Sequence, residues 1–252
     1  MPDQKPTTPR VFLCRHGETE WSKTGRHTGT TDVVLTPHGS AQVLATGKLI
    51  IGAGKLVEPS KLSHIYVSPR KRAQQTAGLL LEALGSGTEV DGDIGAETRT
   101  VKEKMVTTAD LTEWNYGMYE GLTPREIRTS RKERGLDQER GWEIWRDGCE
   151  DGESPEQVSA RLDAFIERIR EPHRRILGGE AVEASGGGDV LLIAHGHILR
   201  AFAKRWLGFP LEFPLSMILE PGGVGILSYD HHTVDEPAVL LGMAFPTKQT
   251  GS

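Results

Sequence analysis

The chain has 252 residues, of which 37% are hydrophobic and 26% are charged, and its formal net charge at pH 7 is -5. This balance is typical of a globular α/β domain that is large enough to bury its own core. The acidic balance argues against nucleic acid and anionic membranes as partners, so any attraction for an anionic substrate must come from a local cluster of basic side chains.

Two cysteines, Cys14 and Cys149, are too few and too far apart for a disulfide framework or a cysteine metal site. The first ten residues lack the apolar core of a signal peptide, and no apolar run approaches the roughly 20 residues of a membrane span. We therefore expect a cytoplasmic protein with no membrane partner and no metal or other cofactor. The predicted organisation is a disordered N-terminus at residues 1–10, one domain at 11–246 and a flexible tail at 247–252.

Three short apolar runs, separated by helical stretches, predict a buried and mostly parallel sheet. They cover Val11–Arg15, residues 65–67 and residues 190–194. Val224–Tyr229 and residues 239–245 predict a closing hairpin or two late strands. The predicted fold class is α/β, a sandwich of three layers with a central, mostly parallel sheet flanked by helices.

Four Ser/Thr-Pro pairs predict helix starts, because the hydroxyl can cap a free amide and proline fits the first helical position. They are Thr36-Pro37, Ser68-Pro69, Thr123-Pro124 and Ser154-Pro155. Pro172 is expected to end or kink the helix that begins after Ser154. Residues 85–100 and 178–188 are predicted to be loops.

The residues that directly follow the three strands carry the strongest functional signal. Ligands of open α/β sheets bind beyond the carboxyl ends of the strands, and here stand Arg15-His16, Ser68 leading to Arg72, and His195. A neutral imidazole is a nucleophile toward phosphorus, and guanidinium groups bind phosphoryl oxygens. Either histidine motif alone is a weak signal. Together they predict phosphoryl transfer through a covalent phosphohistidine at His16.

Five segments, in matching order, resemble the histidine phosphatase (phosphoglycerate-mutase-like) superfamily. They are residues 12–21, Thr28-Gly29, and residues 35–39, 68–76 and 194–197. The resemblance spans roughly residues 11–245 and implies a phosphoglycerate-mutase-like fold with a helical subdomain over the site. It implies that His16 takes the phosphoryl group and that Glu113 is the general acid. It also implies that three residues hold the phosphoryl oxygens: Arg15, Arg72 and His195.

Further segments resemble the fungal sugar bisphosphatases of this superfamily. They are residues 116–121, 134–140, 144–150, 222–229, His231-His232 and 235–238. The implied substrate is a small phosphorylated metabolite, a sugar bisphosphate such as sedoheptulose 1,7-bisphosphate. The candidate substrate-binding residues are Ser22, Thr28, Gly29, Tyr116, Gly196, His197, Arg200 and His231, with Arg125 or a neighbour as a candidate for a distal phosphate. Position 27 departs from the pattern, with His where Tyr is expected, and the segment 208–221 is short.

Other activities remain open from the sequence. They are a phosphoglycerate mutase, a broad-specificity or protein phosphatase of the same family, and a pseudo-enzyme used for binding. The lysine and paired arginines that the resemblance leads us to expect in a mutase after residue 121 are missing, and all five catalytic candidates are present. The oligomeric state is also open, and a homo-oligomer is one of the options.

Overall fold

The computed structural model describes residues 8–85, 94–180 and 187–242, apart from the side chains of residues 94–97. Its strands are β1 (Val11–Arg15), β2 (Leu62–Val67), β3 (Met105–Thr107), β4 (Asp189–Ala194), β5 (Val224–Tyr229) and β6 (Pro237–Val239). They form one sheet in the order β3-β2-β4-β1-β5-β6. The first four strands are mutually parallel, whereas β5 runs antiparallel to both β1 and β6. The predicted sheet is confirmed, with β3 added to it and β6 placed earlier than the predicted late strand.

The helices of the described ranges cover both faces of the sheet. They are α1 (Glu20–Thr24), α2 (Pro37–Ile50), α3 (Lys71–Gly85), α4 (Ile94–Glu103), α5 (Pro124–Glu133), α6 (Ile144–Asp147), α7 (Pro155–Leu177) and α8 (Gly196–Trp206). Alternate residues of β1 enter two different cores, because successive side chains of a strand point to opposite faces. Phe12 and Cys14 pack with α2 and α3, whereas Val11 and Leu13 pack with α7 and α8. This arrangement confirms the three layers.

Three of the four predicted helix starts are confirmed. Side chains of Thr36, Thr123 and Ser154 cap α2, α5 and α7, with proline at the first helical position. The fourth start differs, since α3 begins at Lys71. Its expected cap, Ser68, directs its hydroxyl at the ring of His195 instead.

Helix α7 continues through Pro172 to Leu177, so the predicted end at this proline is wrong. Proline removes one hydrogen bond of the helical ladder. The last turns of α7 are nevertheless held by the buried Ile169 and His173. The two ring nitrogens of His173 lie 2.8 Å from the Tyr229 hydroxyl and 2.8 Å from Gly188 O.

The predicted loops and termini are only partly covered by the described residues. Within the stretch 85–100, residues from Ile94 onward belong to α4, which corrects the loop prediction there, and residues 86–93 lie outside the described ranges. Residues 181–186 of the second loop, and residues 1–7 and 243–252 of the termini, also lie outside them. Disorder does not extend to Arg10, whose backbone N–H donates to Asp189 Oδ1 at 2.8 Å. The single domain at 11–246 stays a prediction.

Across the described part of the chain, no helix combines the length and the apolar character that crossing a membrane requires.

Candidate active site

His16 follows β1 directly and is buried, with 5% of its surface exposed. Its ring Nδ1 lies 2.7 Å from Gly17 O. Because a carbonyl oxygen can only accept, Nδ1 carries the proton and Nε2 keeps its lone pair. Burial and the positive charge of Arg72 lower the pKa of His16 to about 3, so the ring is neutral at neutral pH. Such a ring can act as a nucleophile through Nε2.

Arg15 ends β1 and borders the same cavity as His16. Its Nη1 donates to Leu219 O at 2.8 Å, which anchors the guanidinium group. Its Nε is buried and has no hydrogen-bond partner among the described residues. A buried donor without a partner costs free energy, and a phosphoryl oxygen would satisfy it.

His195 and Arg72 form a fully buried pair between the ends of β4 and β2. Arg72 Nε donates to His195 Nδ1 at 3.0 Å, so the proton of the neutral ring lies on Nε2, which is 2.7 Å from Ser68 Oγ. Burial, reinforced by the charge of Arg72, lowers the pKa of His195 well below its ordinary value. Arg72 also donates to Thr31 O and Thr28 O at 3.1 and 2.8 Å. Both ring nitrogens of His195 are therefore engaged by protein groups, and its ring centroid lies 5.1 Å from that of His16.

Glu113 lies at the opening turn of α8 and is 6% exposed. Its Oε1 accepts from Trp114 N at 3.0 Å and from Ile198 N at 2.8 Å, and its Oε2 accepts from His197 N at 3.0 Å. Because Oε2 accepts only one of these three bonds, it keeps a lone pair that can take a proton. The geometry suits a group that gives and receives a proton at a fixed place.

His16, Arg15 and Glu113 border one cavity of about 530 Å³. This volume is in the range of pockets that bind small molecules. Three further arginines line the cavity and make it attractive to anions: Arg26, Arg128 and Arg200. Arg72 and His195 are not among the lining residues, so in this structure they lie behind the cavity wall, next to the residues that form it.

Six of the predicted substrate-binding residues line the cavity: Ser22, Thr28, Tyr116, Gly196, His197 and Arg200. The Ser22 hydroxyl is already engaged, since it donates to Thr19 O at 3.0 Å. The guanidinium group of Arg200 lies 5.4 Å from the centre of the Trp145 ring, and its Nε donates to Gly196 O at 3.0 Å. Arg200 is thus held at the cavity wall by two contacts.

Two of the predicted substrate-binding residues, Gly29 and His231, do not line the cavity. The Gly29 amide donates to the Glu120 carboxylate at 2.9 Å, and a Cβ at this position would lie 2.3 Å from Trp114 O. Glycine is therefore required there for packing. His231 follows β5, which runs antiparallel to β1 with Val11 opposite Leu227. Strand β5 thus carries His231 to the opposite end of the sheet from His16.

Arg125 is exposed and does not line the cavity, whereas Arg128 does. Residues four apart on a helix share a face, so Arg128 lies on the same side of α5 as the cavity-lining Pro124. Arg128 has no hydrogen bond or ion pair within the described ranges. It is the neighbour of Arg125 that faces the cavity.

Sequence reasoning did not assign a site role to His27 or Trp145, which also line the cavity. His27 is the residue before Thr28, so its position in the motif was an available signal. Only the resemblance of residues 144–150 to the sugar bisphosphatases pointed to a site role for Trp145, since a Trp considered alone is more often part of a core. It packs against His197 with 5.3 Å between the ring centroids.

One group of potential metal ligands occurs among the described residues: Asp230, His231 and Glu236. All three are exposed, and Glu236 accepts from His231 Nδ1 at 2.6 Å. The group lies in the β5–β6 turn, at the end of the sheet opposite to His16, and therefore has no contact with the cavity.

Comparisons with known proteins agree with this geometry. A family model described as the histidine phosphatase superfamily (branch 1) matches residues 11–238. The chain is 38% identical to sedoheptulose 1,7-bisphosphatase of Saccharomyces cerevisiae, with 94% of each chain covered. It is 36% identical to an acid phosphatase of Mycobacterium tuberculosis, with 88% of this chain and 87% of that protein covered. Among solved structures, the product of a Mycobacterium tuberculosis open reading frame matches with a TM-score of 0.67 and 32% identity, over 92% of this chain and 96% of that one.

Proposed function

The chain belongs to branch 1 of the histidine phosphatase superfamily, and from this premise we propose that it hydrolyses phosphate monoesters of small metabolites through a phosphohistidine at His16. The observation that carries the proposal is the pairing of two groups at the end of β1. His16 keeps a free Nε2 lone pair, and the adjacent Arg15 has a buried Nε without a partner. One group can attack phosphorus while the other binds an oxygen of the transferring group.

In the first step, His16 Nε2 attacks phosphorus and the ester P–O bond breaks. The leaving alkoxide needs a proton, which Glu113 Oε2 supplies. The products of this step are the alcohol, the phosphohistidine and the Glu113 carboxylate. Burial of His16 supports the step, because its lowered pKa keeps the attacking ring neutral.

In the second step, water attacks the phosphohistidine and the P–N bond breaks. Glu113 takes one proton from the water, inorganic phosphate leaves, and both residues return to their starting states. The fixed position of Glu113 against three backbone amides supports its use as acid and then as base. Arg15 binds the phosphoryl oxygens, Arg72 adds positive charge from outside the cavity wall, and we propose that no metal ion is needed.

We propose a sugar bisphosphate, such as sedoheptulose 1,7-bisphosphate, as the preferred substrate. The likeness to the yeast enzyme of that name supports this choice. Arginines beyond the reacting centre support it too, since Arg128 and Arg200 line the same cavity and can bind a second phosphate. A cytoplasmic location belongs to the same proposal, and the free state of Cys14 and Cys149 is in keeping with a reducing compartment.

The test is kcat/KM, measured as phosphate release, for sedoheptulose 1,7-bisphosphate, fructose 1,6-bisphosphate and the corresponding monophosphates. Mutase activity on 3-phosphoglycerate is measured alongside. We expect the bisphosphates to be preferred, hydrolysis to exceed transfer, and activity to survive excess EDTA. A mutase rate above the hydrolysis rate would contradict the proposed hydrolase. Loss of activity in EDTA with rescue by one divalent ion would contradict metal independence.

A further inference from the structure

His27 borders the cavity with one ring nitrogen engaged and the other free. The side chain is 7% exposed, and its Nδ1 lies 3.0 Å from Leu122 O. Because that carbonyl can only accept, Nδ1 is the donor and Nε2 keeps a lone pair. In the described ranges Nε2 has no hydrogen-bond partner. His27 thus offers the cavity an acceptor.

The ring of His27 is held in this orientation by its neighbours. It stacks on His197 with 5.5 Å between centroids and an 18° interplanar angle. Tyr116 meets it edge-on at 4.6 Å, and the Tyr116 hydroxyl lies 2.8 Å from His197 Nδ1. Turning the ring over would break the hydrogen bond to Leu122. The free nitrogen is therefore positioned before a substrate arrives, which lowers the entropic cost of binding.

The charge state of His27 selects what it can bind. Burial lowers the pKa of His27, and the positive charge of Arg200 adds to this effect. The hydrogen bond to the Leu122 carbonyl and the negative charges of Glu113 and Glu120 act in the opposite direction, but burial is the largest effect. A neutral ring with a lone pair is a poor partner for a phosphate dianion, which also has only lone pairs to offer. It is a good partner for a hydroxyl group, which can donate.

We propose that His27 is a specificity-determining residue that accepts a hydrogen bond from a hydroxyl on the carbon chain of the substrate. The arginines of the cavity bind the phosphates, and His27 recognises the polyol between or beside them. Esters that carry hydroxyl groups are therefore preferred over esters of the same length without them. This inference rests on the proposed function, because it concerns the same cavity and the same reaction.

Two variants separate recognition from a structural role. His27→Asn keeps an amide where Nδ1 donates to Leu122 O but removes the group at the Nε2 position. His27→Gln places an amide oxygen or nitrogen near the Nε2 position, so it can still bond to a hydroxyl. The substrates are sedoheptulose 1,7-bisphosphate, heptane-1,7-diol bisphosphate, which lacks the other hydroxyls, and p-nitrophenyl phosphate.

We expect wild-type protein to prefer the sugar bisphosphate over the diol bisphosphate. His27→Asn should lose about 2- to 12-fold in kcat/KM on the sugar bisphosphate, which is the range for one hydrogen bond. It should change little on the other two substrates, and His27→Gln should recover most of the loss. Equal losses of either variant on all three substrates would overturn the inference in favour of a structural role.

The inference and the proposed function fail in different ways. Wild-type protein that hydrolyses p-nitrophenyl phosphate but does not distinguish the two bisphosphates overturns the role of His27 and leaves the phosphatase standing. Wild-type protein that hydrolyses none of the three substrates overturns both. Unfolding temperatures of the two variants are measured in parallel, and a kcat/KM loss that follows the loss of folded protein counts against the role.

Discussion

Arg72 donates from Nε to Nδ1 of His195 at 3.0 Å, and both side chains are fully buried. This single contact decides the tautomer of His195, because a nitrogen that accepts from a guanidinium group cannot carry the ring proton. The proton is thereby directed to Nε2 and to the hydroxyl of Ser68 at 2.7 Å. A chain of three side chains thus joins the end of β2 to the end of β4.

We predict that Ser68→Ala destabilises the protein and lowers kcat. The substitution leaves the His195 Nε2–H buried without an acceptor, which costs about 1–3 kcal/mol. The free energy of unfolding from denaturant titration and kcat on p-nitrophenyl phosphate should both fall. Ser60→Ala, at an exposed serine, is the control. Unchanged values for Ser68→Ala would show that the His195 ring does not depend on this hydroxyl.

His16→Ala should reduce kcat by several orders of magnitude, because the nucleophile is removed. Rapid quenching of wild-type protein with labelled substrate should trap an adduct that is labile in acid and stable in base. His231→Ala is the matched control, since His231 lies in the β5–β6 turn away from the cavity, and it should retain wild-type kcat/KM. Near wild-type activity of His16→Ala would exclude the phosphohistidine mechanism.

Glu113→Gln should slow esters of poor leaving groups far more than p-nitrophenyl phosphate. Nitrophenolate needs little protonation, so a general acid contributes little to its departure. The measurement is the ratio of kcat/KM for a sugar phosphate and for p-nitrophenyl phosphate in the variant and the wild type. Equal losses on both substrates would instead indicate that Glu113 mainly fixes the first turn of α8.

Arg128→Gln should lower kcat/KM for a sugar bisphosphate by about 10- to 100-fold, the worth of one charge-assisted contact to a second phosphate. It should affect the matching monophosphate much less. Arg125→Gln, on the same helix but outside the cavity, should leave both substrates unchanged. An equal effect of the two variants on bisphosphate and monophosphate would mean that α5 carries no distal phosphate site.

The folded protein should lose stability as the pH falls below about 6.5. Burial lowers the pKa of His173 to about 4 and that of His16 to about 3, whereas both rings take up protons near pH 6.5 when the chain unfolds. The unfolded state therefore binds more protons between these values, and each histidine costs about 1.4 kcal/mol per pH unit in this window. Unfolding temperatures at pH 7.5, 6.5 and 5.5 should decrease in that order. His173→Gln should show a shallower decrease, and a flat profile would contradict the assignment.

The strand ends were the predictable part of the site. Apolar runs of a few residues followed by Arg15-His16, Ser68 and His195 indicate a parallel sheet, and parallel strands deliver these residues to one edge. The structure brings them there. The sequence could not show that His16 faces the cavity whereas His195 is bonded to protein groups. The hydrogen bonds of His195 to Arg72 and Ser68 depend on the orientation of its ring rather than on its position in the chain.

His231 shows why the positions of the substrate-binding residues could not be predicted from the sequence. The sequence showed that His231 lies in a segment that resembles the sugar bisphosphatases. It could not show that β5 runs antiparallel to β1, because strand direction is set by tertiary pairing and the residue pattern of a six-residue strand is the same in either direction. The sequence could not show which of Arg125 and Arg128 faces the cavity, because the answer depends on the orientation of α5, whose Pro124 lines the cavity. His27 was visible as a departure from the pattern, yet the free state of its Nε2 follows from the Leu122 carbonyl far along the chain.

The attachment of Glu113 to α8 makes the position of the proposed proton donor depend on this helix. The carboxylate accepts from the amides of His197 and Ile198 in the first turn of α8. His16 directly follows β1, and His195 is bonded to Arg72 and Ser68. A small displacement of α8 relative to the sheet would therefore move the carboxylate away from both histidines. Substitutions that loosen α8 would misalign the nucleophile with the acid without changing either residue.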